Sequence, residues 1–588
     1  MAAIQVGKSD SIADCFAKRV AATPDATAYR FYDASSQVWK EHTWRLAAEA
    51  VSRMRAALER EGLQAGDRVA IMAKNGPEWV FFDQAAHALG LVVVPLYVDD
   101  RPDNVAYCLD NSSTRVVLVE GTDQCVKMAE ISARIPGVQR IVAIREKPNH
   151  CEARVVTLAE WLGDAAASSR PPAKVDGNVL ATIVYTSGTT GKPKGVMLTH
   201  QNMLQNAAAG LAVYDIFEDD VFLSFLPLSH MLERTAGYYL TMIAGSIVAF
   251  ARSIPQLGED FRMVRPTIIV SVPRIFEKLH GQIMSALENA PPLRRKLFHY
   301  AHEVGWDLFE WRQKRAPWKP ALLAWPLFRT LVANKMLERM GGRLRLCISG
   351  GAALNPHIAH TFIGLGLPIC QGYGLTEASP VVSVNLLKRN DPSSIGMPLP
   401  GVETRFGENQ ALMVRGPNVM MGYWKNPEAT AQVLSPDGWL NTGDQAKEKD
   451  GFLYITGRLK EIIVLGNGEK VPPVDMELSI QLDALFEQAL VIGEGKPYLS
   501  ALVVLNAAQK AKAGALDEKA IAARVAAQLK DFPGYAQIRR VATIDDPWTV
   551  DNGLLTATLK PKRAAILERY KDKVDELYAS ARKGTVPA

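Results

Sequence analysis

The sequence predicts an α/β protein in two parts: a large N-terminal domain of layered α/β subdomains and a small α+β C-terminal domain. Three observations predict it. The first 250 residues alternate helical patterns with short β-branched runs, the pattern of buried parallel sheet. The chain has 588 residues, whereas single cores stop growing at about 250–300 residues. A charged, turn-rich junction, RLKEIIVLGNGEKVPP at Arg458–Pro473, then precedes a stretch of different character.

Taken in order, the predicted strands include VAIM (Val69–Met72), LVVVPLYV (Leu91–Val98), RVVLVE (Arg115–Glu120) and RIVAI (Arg140–Ile144). Thr235–Ala251 carries no charge, but spanning a membrane takes about 20 strongly apolar residues. This shorter stretch, broken by Gly237 and Gly245, is expected to be a buried helix followed by a core strand. From about 279 to 345 the pattern is helical and holds Trp306, Trp311, Trp318 and Trp325 among basic residues. An amphipathic cap on the core is expected there, with a membrane-surface or partner-binding face as the alternative. Sheet patterns return at LRLCISGGAAL (Leu344–Leu354) and run to FLYITGR (Phe452–Arg458). The boundary is placed at 1–458 and 459–588, with strand LSALVVLN (Leu499–Asn506) inside the smaller domain.

Composition narrows the function classes. Hydrophobic residues make up 48% and charged residues 22%, as in ordinary globular proteins. A net charge of +5 is too balanced to point to nucleic acid. Six scattered cysteines form neither Cys-x-x-Cys pairs nor zinc spacings, so a reduced cytoplasmic protein is expected. A peripheral place at the inner face of a membrane is the alternative. The N-terminus has no signal-peptide pattern.

The motifs point to nucleotide chemistry. YTSGTTGKPKG (Tyr185–Gly195) follows a strand and holds Thr186, Ser187, Gly188, Thr189, Thr190, Gly191 and Lys192. Glycines let backbone N–H groups converge on an anion, and hydroxyls and lysine add donors. Its glycine spacing and Pro193 exclude a Walker loop. LPLSHMLER (Leu226–Arg234) places His230 in a proline-bounded turn, where a satisfied core histidine is the plain alternative. SGGAAL (Ser349–Leu354) offers Gly350, Gly351 and Ala352 for close approach of a flat ring. QGYGLTEASP (Gln371–Pro380) contains Gln371, Gly372, Tyr373, Gly374, Thr376 and Glu377. Tyr373 offers an aromatic face, Thr376 a hydroxyl, and Glu377 a hard oxygen suited to Mg²⁺ on phosphates. GWLNTGD ends at Asp444, YITGR ends at Arg458, and the junction adds Lys460, Gly466 and Gly468. NGLLTATLKPKR (Asn552–Arg563) carries Lys560.

These motifs, in this order from about residue 10 to the end, resemble those of the adenylate-forming superfamily, which includes acyl-CoA synthetases, peptide-synthetase adenylation domains and firefly-type luciferases. The form with His230, Glu233 and Arg234, together with Leu-Thr-x-Thr-Leu-Lys ending at Lys560, is similar to long-chain fatty acyl-CoA synthetases. Ala557 stands where that branch usually has proline, and GENQALMVRG (Gly407–Gly416) departs from the usual Gly-Glu-Ile form.

The resemblance implies a mobile C-terminal domain and the substrates ATP, a fatty acid and coenzyme A, with Mg²⁺ as cofactor. It implies phosphate binding by Thr186–Lys192, adenine beside Gly350–Ala352 and Tyr373, and α-phosphate on Thr376. It further implies metal on Glu377, ribose on Asp444, the same sugar or the phosphate on Arg458, and acyl-pocket lining by His230. Lys560 would serve the adenylation step, Lys460 would be the hinge, and the Gly468 loop would enter for the thiol step. Rival expectations are a fatty acyl-AMP ligase feeding a carrier protein, a synthetase for another hydrophobic acid, or a non-catalytic lipid-binding relative. No carrier domain is seen after Ala588, and intact Glu377, Asp444 and Lys560 argue against the last.

Overall fold

The computed structural model describes residues 3–164, 168, 172–186, 192–288, 290–459, 461–467, 469–513, 516–530, 532–556 and 559–579. The chain forms two compact units. The first comprises Met1–Arg405, Met413–Thr442 and Glu448–Tyr454; the second comprises Phe406–Leu412, Gly443–Lys447 and Ile455–Ala588.

The first unit is built on two large sheets. One has eight strands in the order Gly422–Tyr423, Lys194–Thr199, Leu180–Thr186, Val92–Pro95, Arg68–Met72, Thr114–Val119, Arg140–Ala143 and Val155–Thr157. Its central strands run parallel, and Val69, Val93, Val117 and Ile183 are all fully buried. Unbroken apolar runs are needed where helices cover both faces. The predicted strands from Val69 to Ile144 all lie here, each within a few residues of its expected ends.

The second sheet has nine strands. Four successive neighbours, Val221–Ser224, Ile268–Ser271, Leu346–Ser349 and Ile369–Gly374, run parallel and end together. The register pairs Ser271 with Ser349 and Ser349 with Gln371. Open parallel sheets bind ligands in the crevice beyond such carboxyl ends. The uncharged stretch is buried as expected: wide π-turns at Glu233–Tyr239 lead into helix Leu240–Ala244 and strand Ile247–Phe250.

The tryptophan-rich region is helical, with Pro273–Glu288 and Pro292–Arg312 as its longest pieces. Helix Pro292–Arg312 buries Phe298, Ala301, Val304, Gly305 and Leu308, at the i, i+3, i+4 spacing of one helical face. Leu293, Trp311, Trp318, Leu323 and Leu327 are exposed. Among the described residues no helix is long and apolar enough to cross a membrane.

The second unit has a sheet in which Leu499–Leu505 pairs antiparallel with Phe486–Ile492 and parallel with Ile538–Ile544. Its two faces are packed by separate apolar clusters around Val503 and Leu502, as alternation along a strand requires.

Candidate active site

In the first unit, the strand ends gather several motifs. Gly350 N donates to Ser271 O at 3.0 Å. A side chain at Gly350 would lie 3.2 Å from Leu232 Cδ2 and 3.7 Å from Gly372 O, so SGGAAL, LPLSHMLER and QGYGLTEASP are neighbours in space. Gly351 and Ala352 are exposed beyond the strand end, and Tyr373 is half-buried on Ile369–Gly374. Gly374 must be glycine because a Cβ there would sit 2.0 Å from Pro380 O.

Gln371 turns out to be internally occupied. Its Oε1 accepts from Leu354 N at 2.7 Å and its Nε2 donates to Ser394 O at 2.9 Å. The amide thereby ties the SGGAAL turn to the next strand.

Glu377 lies in a short 3₁₀ turn, Thr376–Ala378, after the strand. Tyr423 Oη donates to Glu377 Oε1 at 2.9 Å, and Met420 N donates to Glu377 O at 2.9 Å. Burial first, and then the Glu377 charge, push the Tyr423 phenol above its usual range, so it stays a donor. Tyr423 pairs with Val196 in the eight-stranded sheet, and Lys194 Nζ lies 5.1 Å from the centre of its ring. Tyr423 therefore links the metal-binding candidate Glu377 to the lysine-bearing hairpin. Sequence reading missed it, and its only local signal is an aromatic pair, Tyr423–Trp424, shortly after the Gly416–Pro417 turn.

The hairpin Leu180–Thr186 and Lys194–Thr199 is antiparallel. Thr186 and Lys192 flank its loop. Ser187, Gly188, Thr189, Thr190 and Gly191 lie outside the described residues, as do Lys460 and Gly468. Lys192 is exposed, with Nζ 5.4 Å from the centre of the Tyr107 ring.

His230 is half-buried at the turn, where His230 N donates to Pro227 O at 2.8 Å and His230 Nδ1 accepts from Leu232 N at 3.3 Å. Its neighbours in the motif are fully internal. Arg234 donates to Asp83 Oδ1 at 2.5 Å, Thr182 Oγ1 at 2.9 Å and Tyr239 Oη at 2.8 Å. Glu233 is buried, with no charge partner among the described residues, and desolvation raises its pKa to about 8. It is mainly protonated at neutral pH.

In the second unit, Asp444 Oδ1 accepts from Arg458 Nε at 2.9 Å, and Arg458 Nη1 lies 3.7 Å from Glu461 Oε1. Lys560 sits in a tight loop. Thr556 N donates to Lys560 O at 2.9 Å, Lys560 N donates to Thr556 Oγ1 at 3.1 Å, and Lys562 N donates to Leu554 O at 2.9 Å. Arg563, which starts the following helix, is held by Glu477. Lys560 titrates below the usual lysine range, first through desolvation and then through the Arg458 charge, while Asp444 and Glu461 pull the other way. Its side chain still has a large accessible surface, so the desolvation reflects crowding rather than enclosure.

Comparison with known proteins now decides the family. The AMP-binding enzyme family matches residues 16–424, and the AMP-binding enzyme C-terminal domain matches residues 460–582. The chain belongs to the AMP-binding enzyme family. Long-chain-fatty-acid--CoA ligase FadD15 of Mycobacterium bovis is 32% identical over 600 residues, covering 97% of this chain and 98% of that protein. Long-chain-fatty-acid--[acyl-carrier-protein] ligase AEE15, chloroplastic, of Arabidopsis thaliana is 28% identical, covering 88% and 82%. Among solved structures, the anthranilate CoA ligase AuaEII in complex with anthranoyl-AMP superposes with a TM-score of 0.75 at 20% identity, covering 97% of this chain and 99% of that one. That likeness shows the shared adenylate-forming fold. As a member of this family the chain is an AMP-forming acid–thiol ligase, an enzyme that takes a carboxylic acid, ATP and coenzyme A.

Proposed function

We propose that the protein is a long-chain fatty acid–CoA ligase. The acid's carboxylate attacks the α-phosphorus of ATP, pyrophosphate leaves, and the thiol of coenzyme A then displaces AMP from the acyl-adenylate. Two anions must meet in the first step. Repulsion between them runs to several kcal/mol at an effective dielectric near 20, so positive charge must be placed between them. Lys560 supplies it as charge develops on the carboxylate and α-phosphate oxygens. The carrying observation is that Asp444, Arg458 and Lys560 share one electrostatic neighbourhood. A carboxylate suited to ribose hydroxyls and an ammonium suited to phosphate are thus available to one nucleotide.

Thr186, Lys192 and the residues between them hold the β- and γ-phosphates. Gly350–Ala352 and Tyr373 border adenine, Thr376 meets the α-phosphate, and His230 lines the acyl pocket. Glu377 fits Mg²⁺ by donor chemistry: it is a half-buried carboxylate oriented by Tyr423, and Mg²⁺ takes one or two carboxylates with phosphate oxygens. When bound, the ion would neutralise phosphate charge. Residues 459–588 form the mobile domain, turning about Lys460 to withdraw Lys560 and bring in the Gly468 loop.

The fatty-acid assignment is supported by the similarity to FadD15. A second reading, transfer to a carrier protein, is supported by the similarity to AEE15. Pyrophosphate release measured against acids from acetate to C20 tests the acid. Each buried methylene contributes up to ~0.8 kcal/mol, so C16 should gain up to about 6 kcal/mol over C8. Preference for acetate or an aromatic acid overturns the assignment. Thioester formation with free coenzyme A separates the ligase from the carrier-dependent reading.

A further inference from the structure

Five of the ten histidines, none of them in a motif above, converge on one place. Helix Pro292–Arg312 carries His299 and His302 one turn apart, and helix Pro356–Gly364 carries His357 and His360 one turn apart. His280 comes from helix Pro273–Glu288. Together with Glu303 they line a cavity of about 710 Å³.

Close backbone contact brings the two main helices together. A Cβ on Gly305 would lie 1.8 Å from Gly364 O, and a Cβ on Gly364 would lie 2.4 Å from His302 O. Only glycines allow that approach, and it sets His302 opposite His360. Their ring centres are 5.4 Å apart. His302 Nδ1 lies 3.6 Å from Glu303 Oε1, and His360 Nε2 lies 3.9 Å from Glu303 Oε2. One ligand atom from each of the three residues falls within 4.8 Å of the others. Ligands held about 2.0–2.1 Å from a tetrahedral Zn²⁺ stand roughly 3.3 Å apart. The remaining contraction is within reach of Glu303, whose side chain is 60% exposed.

Two further observations favour a ligand there. Among the described residues, the buried His302 Nδ1 has no hydrogen-bond partner, which leaves a polar atom at the cluster unsatisfied. Trp306 packs against His360 with ring centres 4.3 Å apart and the planes tilted by 40°, holding that imidazole in place as supporting groups do at metal sites.

We propose that His302, Glu303 and His360 form a site for a divalent d-block cation, with Zn²⁺ as the best match. Two imidazoles and one carboxylate suit Zn²⁺ better than Mg²⁺ or Ca²⁺, which prefer all-oxygen shells. The site ties two helices of the tryptophan-rich region and does not depend on the reading of the catalytic centre.

The test uses the full chain without a polyhistidine tag, stripped with a chelator and titrated with Co²⁺ and then Zn²⁺. One equivalent of Co²⁺ should give visible d–d absorption, and Zn²⁺ should displace it. His302→Ala and His360→Ala should each abolish the band with far-ultraviolet circular dichroism unchanged. Glu303→Gln, at an exposed position, should weaken binding and keep the fold even if a histidine variant does not. Zn²⁺ should raise the Tm of the wild type more than that of Glu303→Gln. Absence of a Co²⁺ band in the wild type, or a band of equal strength and affinity in all three variants, overturns the site.

Discussion

The Asp83–Arg234 pair in the first unit and the Asp444–Arg458 pair in the second have N–O separations of 2.5 and 2.9 Å. Their surroundings differ far more than their lengths. Asp83 and Arg234 are both fully buried, and every guanidinium nitrogen of Arg234 has a partner. Burial opposes ionisation of Asp83, but Arg234 and His87 outweigh it and hold the carboxyl below the usual range. Arg458, in contrast, is 47% exposed beside a buried Asp444. A buried pair with a complete hydrogen-bond set has no capacity left for a ligand. A half-exposed pair can exchange partners with little loss, which is what a nucleotide-binding carboxylate needs. The same two residue types thus serve as a clamp in one place and as a candidate recognition group in the other.

The largest effect should come from breaking the clamp. Arg234→Met strands the Asp83 carboxylate and should destabilise the protein by about 3–5 kcal/mol in urea unfolding. The double variant with Asp83→Asn should recover part of that loss. A single-variant change below ~1 kcal/mol would erase the contrast between the pairs.

Next is Lys560, beside the exposed pair. Lys560→Ala should slow pyrophosphate formation from ATP and acid by roughly 10²–10³. Supplied with synthetic acyl-adenylate and coenzyme A, the same variant should make thioester at near wild-type rate, once circular dichroism has shown an intact fold. Equal loss in both assays would make Lys560 structural.

Glu233 sharpens the comparison from the buried side, because it lacks the partner Asp83 has. Its folded pKa of about 8 lies above the ordinary 4.5, so its stabilising protonated form is fully present below about 4.5 and is lost as pH rises toward 8. Glu233→Gln needs no proton. It should match the wild type in acid and exceed it by roughly 2–3 kcal/mol near pH 8, about half the ceiling that ~1.36 kcal/mol per pKa unit sets over this shift. A constant difference across that window would show that Glu233 does not change protonation.

The smallest effect belongs to Arg458. Arg458→Met should change stability by less than about 1 kcal/mol, because solvent screens an exposed pair, while raising the KM for ATP. A stability loss matching that of Arg234→Met would remove the distinction.

Much of this was legible from local pattern. The strand runs from Val69 to Ile144 were readable because a sheet buried on both faces demands continuous apolar residues. The α/β character of the first unit was therefore readable from these runs. The motifs stood out because backbone-built anion and ring sites need glycines and hydroxyls at close spacing, a pattern that the candidate segments Gly350–Ala352 and Gln371–Glu377 carry.

Pairings between distant residues were decided only in three dimensions. Tyr423 meets Glu377 across 46 positions of chain, through a strand register that neither segment specifies alone. Gln371 stands in sequence among candidate nucleotide-binding residues, yet in the fold its amide is bonded to Leu354 and Ser394. Arg234 and Glu233 are adjacent in sequence, yet one is paired and the other protonated, because desolvation and partners depend on which elements pack around each side chain. His302 and His360 face each other because Gly305 and Gly364 let two helices touch. Sequence spacing sets which groups share a face of one element, whereas burial and long-range register set which groups meet and what charge they carry.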